Sequence, residues 1–259
     1  GDDELVKLKV YLMQNEKFVE KASYSYKNRI NVIPGNFVSV DNQGIIVFTL
    51  DNKKNEVNYI SYSKDKVVKK IVGNAEPLNE LVLNHMAADI TGDGISELLS
   101  MERNGCYIHK LVYDDFMDTY NFTYFNHTLA LTDDVYTFPN DFNGDGKIDV
   151  LYYSPKMSWN ILISNGNGFE TPLSCSNTNL LRNVVLNTKD RYMCSLKQMT
   201  EPTVTIRTAD FDGDGISDVA LFKNYGGNYY LQIGFMPYKK DDKIYDFSHI
   251  QRFYMPINY

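Results

Sequence analysis

Acidic and amide side chains recur at one fixed spacing in three short segments of the chain. The segments are residues 89–97 (DITGDGISE), 141–149 (DFNGDGKID) and 210–218 (DFDGDGISD). Each has an oxygen-bearing side chain at positions 1, 3, 5 and 9 and glycine at positions 4 and 6. An apolar residue stands at position 2, and a run typical of a β-strand follows position 9.

This spacing suits a hard divalent cation. Calcium takes six to eight oxygen ligands, and one short segment can supply most of them only by curling around the ion. Glycine adopts the required backbone angles at little energetic cost, and the carbonyl of position 7 replaces a missing side chain. In the three loops, Ile95, Lys147 and Ile216 are predicted to contribute main-chain carbonyls, and the other ligands are side-chain oxygens. The full set of predicted metal ligands is Asp89, Thr91, Asp93, Ile95, Glu97, Asp141, Asn143, Asp145, Lys147, Asp149, Asp210, Asp212, Asp214, Ile216 and Asp218.

Two other interpretations of these segments are less consistent with the sequence. Asp, Asn and Gly are common in ordinary turns, but three copies with carboxylates at positions 1, 5 and 9 indicate more than a turn. An EF-hand needs a bidentate carboxylate at position 12 and flanking helices. Position 12 is Ser100, Tyr152 or Leu221, and the flanks resemble strands, so each loop is predicted to join two strands.

The elements around the loops are predicted to be strands arranged in repeats. The loops start 52 and 69 residues apart, and Asn36, 53 residues before Asp89, begins a weaker copy without the carboxylates. Hairpins are predicted over 57–72, over 159–169 across the Asn-Gly-Asn-Gly turn, over 229–254 and over 6–26. Four strands in about 50 residues is typical of a propeller blade.

The pattern Asp-Phe-x-Gly-Asp-Gly-x-x-Asp, followed by an apolar strand and an Asn-Gly-x-Gly-Phe hairpin, resembles the FG-GAP/VCBS repeat of integrin α-chain-type propellers. Residues 141–169 resemble it most closely, and similar repeats occur in bacterial surface lipoproteins and Rhs/Tc-type toxin components. The resemblance implies an all-β fold, a β-propeller whose calcium loops join the first two strands of each blade. In the first loop, Thr91 and Glu97 stand where the family pattern usually has Asp or Asn and Asp, respectively.

We expect about five four-stranded blades, which form either a nearly closed ring or part of a larger propeller. The predicted organisation is one propeller domain over 1–259. It contains a partial blade (1–29), a metal-free repeat (30–82) and three calcium-loop repeats (83–135, 136–202 and 203–259). An insertion is expected within 174–200. Cys175 and Cys194 either form a disulfide or are isolated small apolar residues.

The predicted function is a calcium-stabilised interaction or scaffold module on a bacterial surface or in the extracellular space, with about three structural Ca²⁺ ions. Its partner is a protein or a glycan, bound on the face opposite the loops or on the insertion. The net charge of −7 with no basic cluster disfavours nucleic acid, and no apolar run reaches the ~18 residues of a membrane span.

Two alternatives remain open at this stage. A lectin-like propeller would stack sugars on exposed aromatic side chains, for which the candidates are Trp159, Tyr225, Tyr229 and Tyr230. A polysaccharide-active enzyme is less consistent with the sequence, because no Ser or Cys motif lies near any of the four histidines and the carboxylate pairs lie inside the metal loops. The protein is therefore predicted not to be an enzyme.

Overall fold

The fold consists of β-strands and connecting loops. The structure is a computed structural model that describes residues 5–27, 30–49, 56–63, 66–73, 82–102, 105–128, 136–154, 158–175, 194–195, 203–225, 228–236 and 249–255. These residues contain no helix, which confirms the all-β prediction. By its internal contacts the chain divides into two compact units, described separately below.

The first unit comprises Gly1–Asp89, Asp93–Glu102 and Cys106–His127. Its strands are β1 (Val6–Gln14), β2 (Lys17–Tyr26), β3 (Ile30–Ser39), β4 (Asn42–Thr49), β5 (Glu56–Ser63), β6 (Lys66–Gly73), β7 (Val82–Ala88), β8 (Glu97–Glu102), β9 (Gly105–Asp114) and β10 (Thr119–Thr128). Strands β3 to β10 form one sheet in the order β3-β4-β5-β6-β10-β9-β8-β7. This sheet therefore consists of two four-stranded meanders joined by their last strands.

The eight-stranded sheet curls back on itself. Strands β6 and β10 pair in parallel, with Val72 opposite Tyr120, and the outermost strands β3 and β7 contact each other. A Cβ at Gly35 would lie 2.9 Å from the Cβ of Ala87, so only glycine allows this approach of the two strands. The sheet is nearly closed as a result.

A hydrophobic core fills the interior of this sheet. Alternate residues along each strand point to the same face, and the inward positions are aromatic or aliphatic. The buried core residues are Ile33, Phe37, Ile46, Phe48, Val57, Tyr59, Val72, Leu98, Leu111 and Phe122. Both meanders contribute to this one core, which holds them together.

The hairpin β1–β2 covers the outer face of the first meander. Val6, Leu8 and Val10 pack on a cluster that includes Val47 and Ile60. The opposite face of the hairpin is exposed and carries Lys9 and Glu20, whose Nζ and Oε2 atoms lie 2.8 Å apart. The predicted hairpin over 6–26 is confirmed, and it forms a two-stranded sheet of its own.

The second unit comprises Ile90–Gly92, Arg103–Gly105 and Thr128–Tyr259. Its strands are β11 (Tyr136–Asn140), β12 (Asp149–Ser154), β13 (Ser158–Leu162), β14 (Leu173–Ser174), β15 (Cys194–Ser195), β16 (Thr203–Ala209), β17 (Asp218–Tyr225), β18 (Asn228–Phe235) and β19 (His249–Met255). Strands β11 to β14 form a four-stranded antiparallel meander. Strands β15 to β19 form a five-stranded sheet in chain order.

The core of the second unit lies between these two sheets. Its buried residues are Phe142, Leu151, Trp159, Ile161, Ile163, Cys175, Ile206, Val219, Leu221 and Met236. Cys175 is a buried free thiol, which favours the apolar-residue interpretation of this cysteine over the disulfide. Trp159, the single tryptophan of the chain, is 3% exposed, so its fluorescence reports on this core.

Most hairpins predicted from the sequence are found where the structure describes the chain. The pairs β5–β6 and β18–β19 match the predicted ranges, although 244–248 lie outside the described residues. The Asn-Gly-Asn-Gly turn brings Ser164 opposite Phe169 as an isolated bridge. Of the predicted insertion within 174–200, only the start and the short strand β15 are described.

Candidate metal-binding loops

The three acidic loops join the first and second strands of successive meanders. The first loop joins β7 to β8, the second joins β11 to β12, and the third joins β16 to β17. The corresponding connection between β3 and β4 is the turn at Val40 and Asp41, which lacks the acidic set. The predicted position of each loop between two strands is therefore confirmed.

The carboxylate at position 1 organises each loop by accepting main-chain hydrogen bonds. In the second loop, Asp141 Oδ1 accepts from Gly144 N at 2.7 Å and Asp141 Oδ2 from Gly146 N at 2.8 Å. In the third loop, Asp210 accepts from Gly213 N at 2.6 Å and from Gly215 N at 2.9 Å.

The first loop has the same arrangement in part. Asp89 Oδ2 accepts a hydrogen bond from Gly94 N at 2.7 Å. Positive φ angles at positions 4 and 6 make this curl possible, with values of 78° and 82° in the first loop, 73° and 83° in the second and 82° and 87° in the third. All three loops therefore close around their first residue.

Positions 5 and 7 also have the same geometry in all three loops. The position-5 carboxylate accepts the position-7 amide: Ile95 N to Asp93 Oδ1 at 2.9 Å, Lys147 N to Asp145 Oδ1 at 2.9 Å and Ile216 N to Asp214 Oδ1 at 2.8 Å. At position 3, Asn143 Oδ1 accepts Asp145 N at 2.9 Å and Asp212 Oδ1 accepts Asp214 N at 3.3 Å. Thr91 at the same position of the first loop is half-buried.

The carboxylate at position 9 is buried and connects its loop to a later strand. Asp149, fully buried, accepts Phe142 N at 2.9 Å and Ser164 N at 2.8 Å. Asp218, 1% exposed, accepts Phe211 N and Met236 N, both at 3.0 Å. Sequence reasoning assigned this position to the metal alone, because nothing in the spacing indicates the amides of Ser164 and Met236.

Burial disfavours the ionised form of both position-9 carboxyls. The pKa of Asp149 is raised to about 7: desolvation is the largest cause, nearby Asp145 and Asp141 also raise it, and the two amide hydrogen bonds lower it. Desolvation also raises the pKa of Asp218, with Asp212 and Asp214 as additional negative neighbours. A cation bound beside these groups would favour their ionised form.

The third loop gathers its carboxylates most closely. One potential ligand oxygen from each of Asp210, Asp212 and Asp218 lies within 4.8 Å of the other two. Oxygen-only donors with several carboxylates are the ligands that calcium prefers. The donor set, the closed loop and the buried carboxylate therefore fit a calcium ion, which these residues would hold together with the Ile216 carbonyl and water.

Lysine side chains lie against carboxylates of the other two loops. Lys147 Nζ is 2.5 Å from Asp145 Oδ2 in the second loop. In the first loop, Lys110 Nζ of β9 is 3.4 Å from Oε1 of Glu97, which is 1% exposed. Sequence reasoning missed both contacts: Lys147 is the one charged residue at position 7, whereas the position of Lys110 in the sequence gives no signal.

Main-chain hydrogen bonds link consecutive repeats at position 8. Ser217 N donates to the carbonyl of Asp141 at 2.8 Å, so the third loop is attached to the second. Ser96 N donates in the same way to the carbonyl of Asn36 at 2.9 Å. Asn36 thus occupies the place of a loop's first residue, which supports the alignment of the metal-free repeat.

Two of the residues considered for other activities, His85 and Trp159, pack against apolar side chains. His85 Nδ1 lies 3.0 Å from Ser100 Oγ, and the His85 ring stacks on Phe48 at 4.5 Å between centroids. Trp159, a candidate sugar platform, is in the hydrophobic core. The side chains of Tyr225, Tyr229 and Tyr230 lie outside the described residues.

No helix among the described residues is long and apolar enough to cross a membrane.

A comparison with curated proteins finds no match to this chain. Residues 141–221, which hold the second and third loops, match a family described as FG-GAP-like repeat. This is the family indicated by the loop and hairpin pattern, and the chain therefore carries FG-GAP-like repeat sequence over residues 141–221.

Proposed function

We propose that this protein is a calcium-stabilised extracellular interaction module with a β-propeller architecture. The observation that carries the proposal is the third loop, where three carboxylates converge around a turn closed by main-chain hydrogen bonds. The same loop geometry recurs in the second and first loops. Calcium at these sites is structural, because the loops connect strands and their position-9 residues pack inside the fold.

The strand arrangement supports the propeller. Strands β3–β6, β7–β10, β11–β14 and β16–β19 each form an antiparallel meander of four strands, which is the content of a blade. The hairpin β1–β2 is then a fifth, partial blade. Its apolar side chains pack on the first meander, at Val47 and Ile60.

The proposed metal chemistry supports an extracellular location. Calcium sites of extracellular modules often bind at ~10⁻⁴–10⁻³ M, so they fill outside a cell and stay nearly empty inside it. Such a module presents binding loops on a rigid frame, and its partner is a protein or a glycan. The predicted binding segment within 174–200 lies almost entirely outside the described residues.

We propose further that the protein is not an enzyme. The pair formed by His85 and Ser100 resembles part of a catalytic arrangement, but the pKa of His85 is lowered to about 4, mainly by burial and in addition by the nearby imidazole of His109 when that is protonated. A histidine with so low a pKa is a weak general base at neutral pH. Its ring stacks on Phe48, a buried residue of the hydrophobic core.

Calcium binding is tested by titration calorimetry on chelator-stripped protein. We expect about three sites, with the second and third loops tighter than the first, where Thr91 replaces a carboxylate or amide. At a calcium concentration about tenfold above Kd, each ion stabilises the fold by ~1.4 kcal/mol. Fewer than two sites would contradict the proposal.

Single substitutions test whether the ions are structural. Asp214→Ala and Asp145→Ala should each remove the calcium-dependent rise in melting temperature contributed by its loop, and Asp89→Ala should have a smaller effect. Asp41→Ala, in the exposed turn of the metal-free repeat, is the matched control and should retain the full rise. If chelation leaves the melting temperature of every variant and of the wild type unchanged, the loops are ordinary turns.

A further inference from the structure

The three loops differ in the positive charge that the chain itself supplies. The second loop has the Lys147 ammonium on Asp145, and the first has the Lys110 ammonium near the buried Glu97. Within the described part of the chain, the salt bridges involve none of the carboxylates of the third loop. Among the described residues, the third loop is also the one where ligand oxygens of three acidic residues lie within 4.8 Å of one another.

The position of Lys147 is fixed by the groove in which its stem lies. A Cβ at Gly92 would come within 2.9 Å of Lys147 Cγ, and a Cβ at Gly166 within 3.8 Å of its Cδ. The side chain is 23% exposed. The aliphatic stem is therefore enclosed between two glycines, and its ammonium group is delivered to Asp145.

The third loop has an apolar residue in the equivalent groove. Ile216 stands at position 7, and a Cβ at Gly144 would lie 3.3 Å from Ile216 Cγ1. Gly92 and Gly144 are both position-4 glycines of the preceding loop, so Lys147 and Ile216 occupy corresponding places. One packing site thus holds a charged side chain in one repeat and a neutral one in the next.

We propose that Lys147 is a tethered counter-ion that weakens calcium binding at the second loop, and that position 7 sets the relative affinities of the second and third loops. This inference rests on the proposed calcium function. The Lys147 ammonium lies 2.5 Å from Asp145 Oδ2, so this carboxylate already has a cation beside it. A calcium ion must displace the ammonium group from Asp145 and then bind near its charge.

Lys110 has a related role at the first loop. It faces the buried Glu97 and supplies part of the charge that an ion would otherwise bring. The expected order of calcium affinity is therefore third loop, second loop, first loop. Thr91 acts in the same direction as Lys110, so the second and third loops provide the cleaner comparison.

The experiment tests the effect of the positive charge at position 7 by substituting Lys147. Lys147→Met keeps the stem in its groove and removes the charge, whereas Lys147→Arg retains the charge as a matched control. Each is made in an Asp214→Ala background, which silences the third loop, and is titrated with calcium by calorimetry. Because an exposed ion pair contributes up to ~1 kcal/mol, Lys147→Met should bind calcium at the second loop about fivefold more tightly, and Lys147→Arg should not.

The reciprocal substitution and a metal-free measurement complete the test. Ile216→Lys in an Asp145→Ala background should weaken the third loop by a similar factor. In chelator, Lys147→Met should lower the midpoint of urea unfolding followed by Trp159 fluorescence, because repulsion among Asp141, Asp145 and Asp149 is no longer offset. This readout does not depend on calcium.

The possible outcomes separate the two proposals. If the wild type binds calcium but neither Lys147→Met nor Ile216→Lys changes the calcium affinity of its loop, the counter-ion proposal is overturned and the proposed function stands. If calcium binds to no loop of the wild type or of Lys147→Met, the proposed function is wrong and the counter-ion proposal is wrong as well. Tighter binding in both Lys147→Met and Lys147→Arg would attribute the effect to packing and would also overturn the inference.

Discussion

Asp149→Ala should destabilise the second unit by about 3 kcal/mol even in calcium-free buffer. The Asp149 carboxylate is fully buried and accepts the amides of Phe142 and Ser164. Leaving a buried donor without an acceptor costs about 1–3 kcal/mol, and alanine would leave two of them. The expected loss is below the maximum, because removing a buried carboxylate also removes its desolvation penalty.

Urea unfolding followed by Trp159 fluorescence measures this effect, since Trp159 and Phe142 share one core. Asp149→Asn should fall between wild type and Asp149→Ala, because its single oxygen can accept one of the two amides. Asp145→Ala is the control from the same loop: its carboxylate is partly exposed, and in chelator its substitution should have a much smaller effect. Equal stabilities of Asp149→Ala and Asp145→Ala would show that position 9 serves the metal alone.

Lowering the pH from about 7 to about 4.5 should destabilise the first unit by about 2 kcal/mol for each of His85 and His109. Burial lowers the pKa of both histidines to about 4, while an unfolded histidine has a pKa near 6.5. Between these values the unfolded chain binds more protons than the folded one. The stability is therefore complete above about pH 6.5 and decreases as the pH falls towards about 4.

The comparison with His85→Gln and His109→Gln isolates this contribution from the carboxyl groups, which also titrate in acid. Unfolding should be followed by circular dichroism in chelator, because Trp159 reports on the other unit and calcium binding has its own pH dependence. Each variant should lose about 2 kcal/mol less than the wild type over this pH interval. Parallel pH profiles for wild type and the double variant would contradict the buried, neutral state of these histidines.

The position of each acidic loop between two strands was predictable from the sequence, because the hydrogen bonds that close the loop are local. Positions 1, 5 and 7 contact one another within a single turn, so the spacing of Asp141, Asp145 and Lys147 in the sequence determines how they meet. Hairpins such as β5–β6 were predicted for the same reason, since the turn and the alternating pattern are adjacent in the chain.

Contacts over long sequence distances were not predictable in this way. Asp149 meets the amide of Ser164, and Asp218 meets that of Met236; a backbone amide has no signature of its own in the sequence. The parallel pairing of β6 with β10 likewise depends on how the two meanders fold together. The sequence shows that Lys147 is charged, but it does not show that the side chain points to Asp145, because that orientation depends on the glycines beside the aliphatic stem.

The hydrogen bond from Ser96 to the carbonyl of Asn36 has an evolutionary consequence. It is the same attachment that Ser217 makes to Asp141, yet the repeat that contains Asn36 lacks the acidic side chains. A carbonyl is supplied by every residue type, so the joint between repeats tolerates mutation of the ligands. Substitution of the acidic residues in one repeat therefore leaves this attachment in place, so the number of metal sites in such a protein is free to change while the number of repeats stays constant.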